Sequence, residues 1–162
     1  MKGTIAILLV TCGLLAVKTQ SQEAAPLKLA QTYKLSADVK GNFDHFAIDL
    51  AGNRLFATPE AYKAVLVFDL KTGNMIHKIS GIEKPHAILF REDLKRLYVT
   101  DGEAGDVSVY QQASADNYKL LGKVPTGPLA RTALLVPQLN RYFVAVPQHG
   151  TTNAEIQVFE VH

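Results

Sequence analysis

The sequence has no tryptophan and a single cysteine, Cys12. That excludes an internal disulfide framework and any zinc or iron–sulfur centre built on several thiolates. It also lacks a dominant charge, with 17 basic residues set against 15 acidic ones. So even a balance argues against a nucleic-acid partner. Recognisable catalytic and phosphate motifs are missing too. There is no Gly-x-Ser-x-Gly elbow, and neither Thr72-Gly-Asn74 nor Asp101-Gly-Glu-Ala-Gly105 runs into a Walker-type Lys-Ser/Thr. No catalytic residue and no cofactor is therefore expected. Beyond Val17 no stretch sustains a helical period. With 162 residues, 48% of them hydrophobic, the chain is long enough for about one globular domain.

The first segment reads as an address. Met1-Lys2 starts positive, Thr4 to Val17 is apolar and uncharged, and Lys18-Thr-Gln-Ser-Gln-Glu23 turns polar. A membrane span needs roughly 20 apolar residues and a signal peptide only about 7–15. Residues 1–21 are therefore expected to be a signal peptide cleaved near Ser21, with a cut after Ala24 as the competitor and an uncleaved anchor as the alternative. Leu9-Val-Thr-Cys12 is similar to a lipobox, but the apolar run continues past the cysteine. Cleavage would remove Cys12, which suits an oxidising compartment. It would also remove Lys2 and Lys18, leaving 15 basic and 15 acidic residues. The expected location is periplasmic or extracellular, with no stable membrane anchor after cleavage and a linker over residues 22–28.

The remainder is repetitive. Asn53-Arg-Leu-Phe-Ala-Thr58, Lys95-Arg-Leu-Tyr-Val-Thr100 and Asn140-Arg-Tyr-Phe-Val-Ala145 line up at spacings of 42 and 45 residues. An apolar stretch and a turn precede each segment, and an alternating strand follows it: Val65 to Leu70, Val107 to Gln111 and Ile156 to Val161. Two repeats continue into a fourth strand, Met75 to Ile79 and Tyr118 to Val124. Short β-branched and aromatic runs between turn signals predict hairpins. Four strands recurring every 40–45 residues predict a propeller blade; a plain antiparallel sandwich or meander is the competing arrangement. The expected fold class is therefore all-β, with three blades over about residues 43–84, 85–127 and 128–162 of a domain spanning 29–162. The third repeat ends without its fourth strand. Leu29 to Leu35 is similar to Tyr118-Lys-Leu-Leu, and is expected to complete the last blade and remove its exposed edge.

Tyr98-Val99-Thr100-Asp101, with Phe56-Ala-Thr58 and Phe143-Val-Ala145 as degenerate copies, resembles the signature of the YVTN-repeat, or YncE-like, β-propellers. Asp69-Leu-Lys-Thr-Gly73 is similar to that family's turn between third and fourth strands. The resemblance implies a seven-bladed ring, whereas three repeats are present here. It implies no particular activity, because a fold does not confer one. Three wedge-shaped blades should leave an arc with apolar end faces. Either copies associate, for instance two giving six blades, or the arc is marginal, or the chain is a shortened relative.

One repeat column carries polar chemistry. Asp44, His86 and Arg131 each lie eleven residues before the anchors Leu55, Leu97 and Tyr142, at the start of the innermost strand, which faces a propeller's channel. An acid, an imidazole and a guanidinium there are suited to an anionic or zwitterionic small molecule, with His45 adding a second imidazole. The bland alternative is that these groups are merely solvated. Asp44, His45 and His86 are also acceptable metal ligands, although no two His form an HxH or HExxH spacing, so a metal is left open. The sequence thus points to an exported binding or interaction module whose partner is a second copy, another protein or a small ligand. The alternative is a propeller-type enzyme, a lactonase-like hydrolase or an oxidoreductase module, working at the channel mouth.

Overall fold

Each repeat turns its first hairpin in the same way. Asn53, Lys95 and Asn140 have φ of 57°, 51° and 50°, and each returns its N–H to the carbonyl three residues back, on Leu50, Glu92 and Pro137. Asparagine tolerates this left-handed conformation better than most residues. Repetition of the turn brings repetition of the sheet. The structure is a computed structural model that describes residues 27–162. The expected signal peptide, with Cys12, lies outside the described residues. Among those described, no helix is long and apolar enough to cross a membrane. Residues 27–30 carry no strand, and residues 31–162 form one compact unit.

Within that unit the first blade comprises β1 (Phe43–Asp49), β2 (Arg54–Pro59), β3 (Ala64–Asp69) and β4 (Met75–Ser80), hydrogen-bonded in that order. The second comprises β5 (Pro85–Arg91), β6 (Arg96–Asp101), β7 (Asp106–Ser114) and β8 (Asn117–Pro125), again in order. The third has three strands, β9 (Thr132–Val136), β10 (Arg141–Val146) and β11 (Glu155–Glu160). All pairings are antiparallel. The all-β blade architecture and its three-repeat division are as the repeats predict.

The core lies between blades, because successive side chains of the inner strands point to opposite faces and both faces are apolar, as in Leu55–Ala57 and Ala64–Phe68. Phe56, Val65, Val67 and Ile79 of blade 1 pack against Ile88, Leu97, Val99 and Tyr110 of blade 2. Tyr98 and Val107 of blade 2 pack against Tyr142, Val144 and Val146 of blade 3. A threonine reinforces each junction. Thr58 Oγ1 donates to His86 O at 2.8 Å, and Thr100 Oγ1 donates to Arg131 O at 3.1 Å. In both cases the second strand of one blade holds the start of the next blade's first strand. Asp101, fully buried, clamps the connection between blades 1 and 2: its carboxylate accepts the N–H groups of Glu83 at 2.7 Å and Lys84 at 3.0 Å.

The last blade departs from expectation. Residues 29–35 form no strand, and the edge of β11 has no partner among the described residues. Tyr33 instead lies on blade 1, its ring 6.0 Å from that of Phe68 and its hydroxyl donating to Leu70 O at 2.9 Å. The Gln31 amide donates to Thr72 O at 3.2 Å. The physical reason is reach. Three blades do not bring blade 1 round to β11, so the segment covers the nearest apolar surface, formed by Ala57, Leu66 and Phe68.

Candidate functional site

The strand starts at the rim bring part of the predicted column together. Asp44 and His45 are on β1 and His86 is on β5. The β1–β2 ladder is irregular between Phe43 and Phe46, which lets the side chains of both Asp44 and His45 gather at this edge. Asp44 Oδ2 accepts the His86 Nδ1 proton at 2.6 Å, and Asp44 Oδ1 lies 2.9 Å from His45 Nδ1. One carboxylate therefore holds two imidazoles. The members differ in access: His86 is 1% exposed, whereas Asp44 and His45 reach solvent.

Glu60, which the repeats do not single out, completes the group. It sits on a single 3-10 turn after β2 (Glu60–Tyr62), with Oε1 3.9 Å from His86 Nδ1. Its repeat counterparts are Gly102 and Pro147, so no column of acids marks it. Gly102 has its own reason. A Cβ there would stand 2.6 Å from His86 Cδ2 and 2.8 Å from Nε2, so a side chain at position 102 would force the imidazole to shift.

Arg131 is separate. Its backbone carbonyl is used by Thr100 Oγ1 and by the Ala87 N–H, and its side chain lines a groove of about 790 Å³ on blade 3 with Thr132, Ala145 and Ile156. It makes no ion pair among the described residues. Asp101 is structural, as its clamp shows. His149 lies exposed in the Pro147–Glu155 loop, and His77 stacks on Tyr118 with centroids 5.4 Å apart.

Asp44, Glu60 and His86 present ligand-type atoms within 4.8 Å of one another. Proton placement limits what His86 contributes. Its Nδ1 proton is already given to Asp44, and its buried Nε2 has no partner among the described residues. A cation on Nδ1 would force the proton to Nε2, where an unmet buried donor costs about 1–3 kcal/mol. His86 is thus better suited to fixing Asp44, leaving Asp44, Glu60 and His45 as the groups open to a ligand.

No family model matches the chain. Over 134 residues it is 31% identical to "Uncharacterized protein YncE" of Salmonella typhimurium and 30% identical to the Salmonella typhi protein of the same name. Each match covers 82% of this chain, which spans only 37% of the length of those relatives. Among solved structures, Kuenenia stuttgartiensis hydrazine synthase superposes with a TM-score of 0.61 at 20% identity, over 80% of this chain and 36% of that one. A putative 6-phosphogluconolactonase from Bacteroides uniformis gives 0.54 at 18% identity, over 72% and 40%. These two are likenesses of fold alone.

Proposed function

The chain is a relative of the YncE-like β-propeller proteins, and from that premise we propose that it works as an exported interaction module. One observation carries the reading. The outward face of blade 3 leaves Leu134 57%, Ile156 63% and Val158 55% exposed. Ile156 and Val158 are the repeat counterparts of Val65 and Val67, which blade 2 buries completely. A side-chain pattern built for burial between blades is here turned to solvent, and so much contiguous apolar surface marks a binding face. Export rests on the charge and apolar pattern of residues 1–21.

Photo-crosslinkers at positions 134 and 158, in an exporting host, test the reading against a third at Lys123 on β8. Adducts confined to the blade 3 positions are expected. Equal labelling at all three, or none, overturns it. Recovery of the chain from the cytoplasm with residues 1–21 attached would overturn export.

The rim group favours a second reading, the lactonase-like or oxidoreductase alternative, in which Asp44, His45 and Glu60 hold a small ligand or a divalent cation. Its support is the grouping of Asp44 and Glu60 with His86 within 4.8 Å, and His45 Nδ1 standing 2.9 Å from Asp44 Oδ1. A thermal shift with zinc or calcium that disappears in Asp44→Ala is its signature, and no shift with any divalent ion sinks the metal version.

A further inference from the structure

We propose that the partner of the blade 3 face is a second copy of this chain, joined head to tail, and that β11 of each copy takes residues 31–35 of the other as its fourth strand. This rests on the interaction-module reading and names the partner.

Three independent features converge on the same joint. The first is the placement of Tyr33. Inside the chain, Ile79 on the outermost strand of blade 1 packs in the cluster that contains Tyr110 of blade 2. The repeat counterpart of Tyr110 is Phe68, and Tyr33 is what packs on Phe68. Residues 31–35 therefore stand where the outermost strand of a blade preceding blade 1 would stand. In a head-to-tail pair that preceding blade is the other copy's third, which has no fourth strand among the described residues.

The second feature is apolar fit. Tyr33 and Val39 cover only the outer part of blade 1's free face. Its inner strand leaves Phe46 60% and Ile48 48% exposed. In the internal junction the counterpart of Phe46 is Ile88, buried in the shared cluster. The uncovered part of blade 1 thus corresponds to the surface that blade 2 offers blade 1, and the blade 3 face corresponds to what blade 1 offers in return.

The third feature is charge. At the first junction the rim residues of the column meet, Asp44 of blade 1 with His86 of blade 2. Arg131 of blade 3 has no ionic partner among the described residues, and the next member of the column across the joint is Asp44 of the second copy. A guanidinium and a carboxylate are thereby brought to one rim. Two three-bladed arcs give six blades, within the range that closes a ring.

The joint lacks one element of the internal ones. Where Thr58 and Thr100 donate across their junctions, blade 3 has Ala145. Restoring the hydroxyl should strengthen self-association, which a purely structural role for this position would not.

Sedimentation of the full chain over a concentration series is the test. A reversible dimer is expected. Val158→Lys, with its circular dichroism unchanged, should sediment as a monomer and lose amide protection over residues 31–35. Ala145→Thr, which adds one hydrogen bond at each of the ring's two joints, should lower the dimer dissociation constant by about 10- to 100-fold. A wild-type monomer at the highest soluble concentration overturns the proposal, as does a dimer untouched by both substitutions. If that monomer still yields adducts with a different protein at positions 134 and 158, only self-pairing fails. A monomer without adducts overturns the interaction module as well.

Discussion

The two internal junctions follow one plan and differ in their rims. Between blades 1 and 2, and again between blades 2 and 3, apolar side chains interdigitate and a second-strand threonine donates to the first carbonyl of the next blade. At the rim, the first junction binds an aspartate to a buried histidine, whereas the arginine at the second makes no ion pair among the described residues and shares its groove with Glu155. The shared part is backbone holding, indifferent to which side chain follows the carbonyl. That indifference leaves the rim column free to differ from blade to blade while the backbone holding is kept.

The sharpest way to break this comparison uses one repeat column with two burials. Phe56 is completely buried in the first junction, and Phe56→Ala should cost about 3–5 kcal/mol in a denaturant melt. Its counterpart Phe143, on the outward face of blade 3, should cost far less in a monomer under the same measurement. Equal costs would mean that the blade 3 face is covered in solution. Next comes the rim itself. Asp44→Ala leaves the His86 Nδ1 proton unmet in a buried place and should cost about 1–3 kcal/mol, whereas Arg131→Ala should be nearly neutral to the monomer.

Smaller again is the shared hydroxyl. Thr58→Val and Thr100→Val should each cost about 1 kcal/mol, and a clear inequality between them would show that the junctions are less alike than their geometry. The smallest effect concerns pH. Asp69 closes the turn before β4, accepting from the Thr72 N–H at 2.7 Å, the Lys71 N–H at 3.0 Å and the Thr72 hydroxyl, and these bonds hold its carboxyl below the usual carboxylate range. A lowered folded value stabilises the fold above the unfolded value of about 3.9, and the contribution is lost as pH falls through the folded value. Asp69→Asn should therefore narrow the stability difference between pH 6 and roughly pH 3; an unchanged difference would count against the turn.

Much of this was legible in the chain because a repeat reports on itself. The strands, the turns at Asn53, Lys95 and Asn140, and the blade borders recur at fixed spacing, and so does the column holding Asp44, His86 and Arg131. Departures from repetition were not legible. Glu60 stands in a column of unlike residues, Glu, Gly and Pro, so only the folded turn reveals that it reaches His86. Arg131 shares the column but not the cluster, because contact at the rim depends on which blade comes next. The likeness of residues 29–35 to Tyr118-Lys-Leu-Leu is one of local sequence, and local sequence cannot say whether the edge it matches lies within reach.

The forward-pointing threonines have a consequence for the order of events. Thr58 and Thr100 each belong to the earlier blade and hold the start of the later one. A chain emerging amino end first therefore always presents a finished hairpin, with apolar surface and hydroxyl ready, to a strand not yet paired. Each blade can template its successor, and none has to wait for residues still to be made. Assembly of this kind is vectorial: local contacts form first, and every strand pairing within the three blades is with a neighbour in sequence.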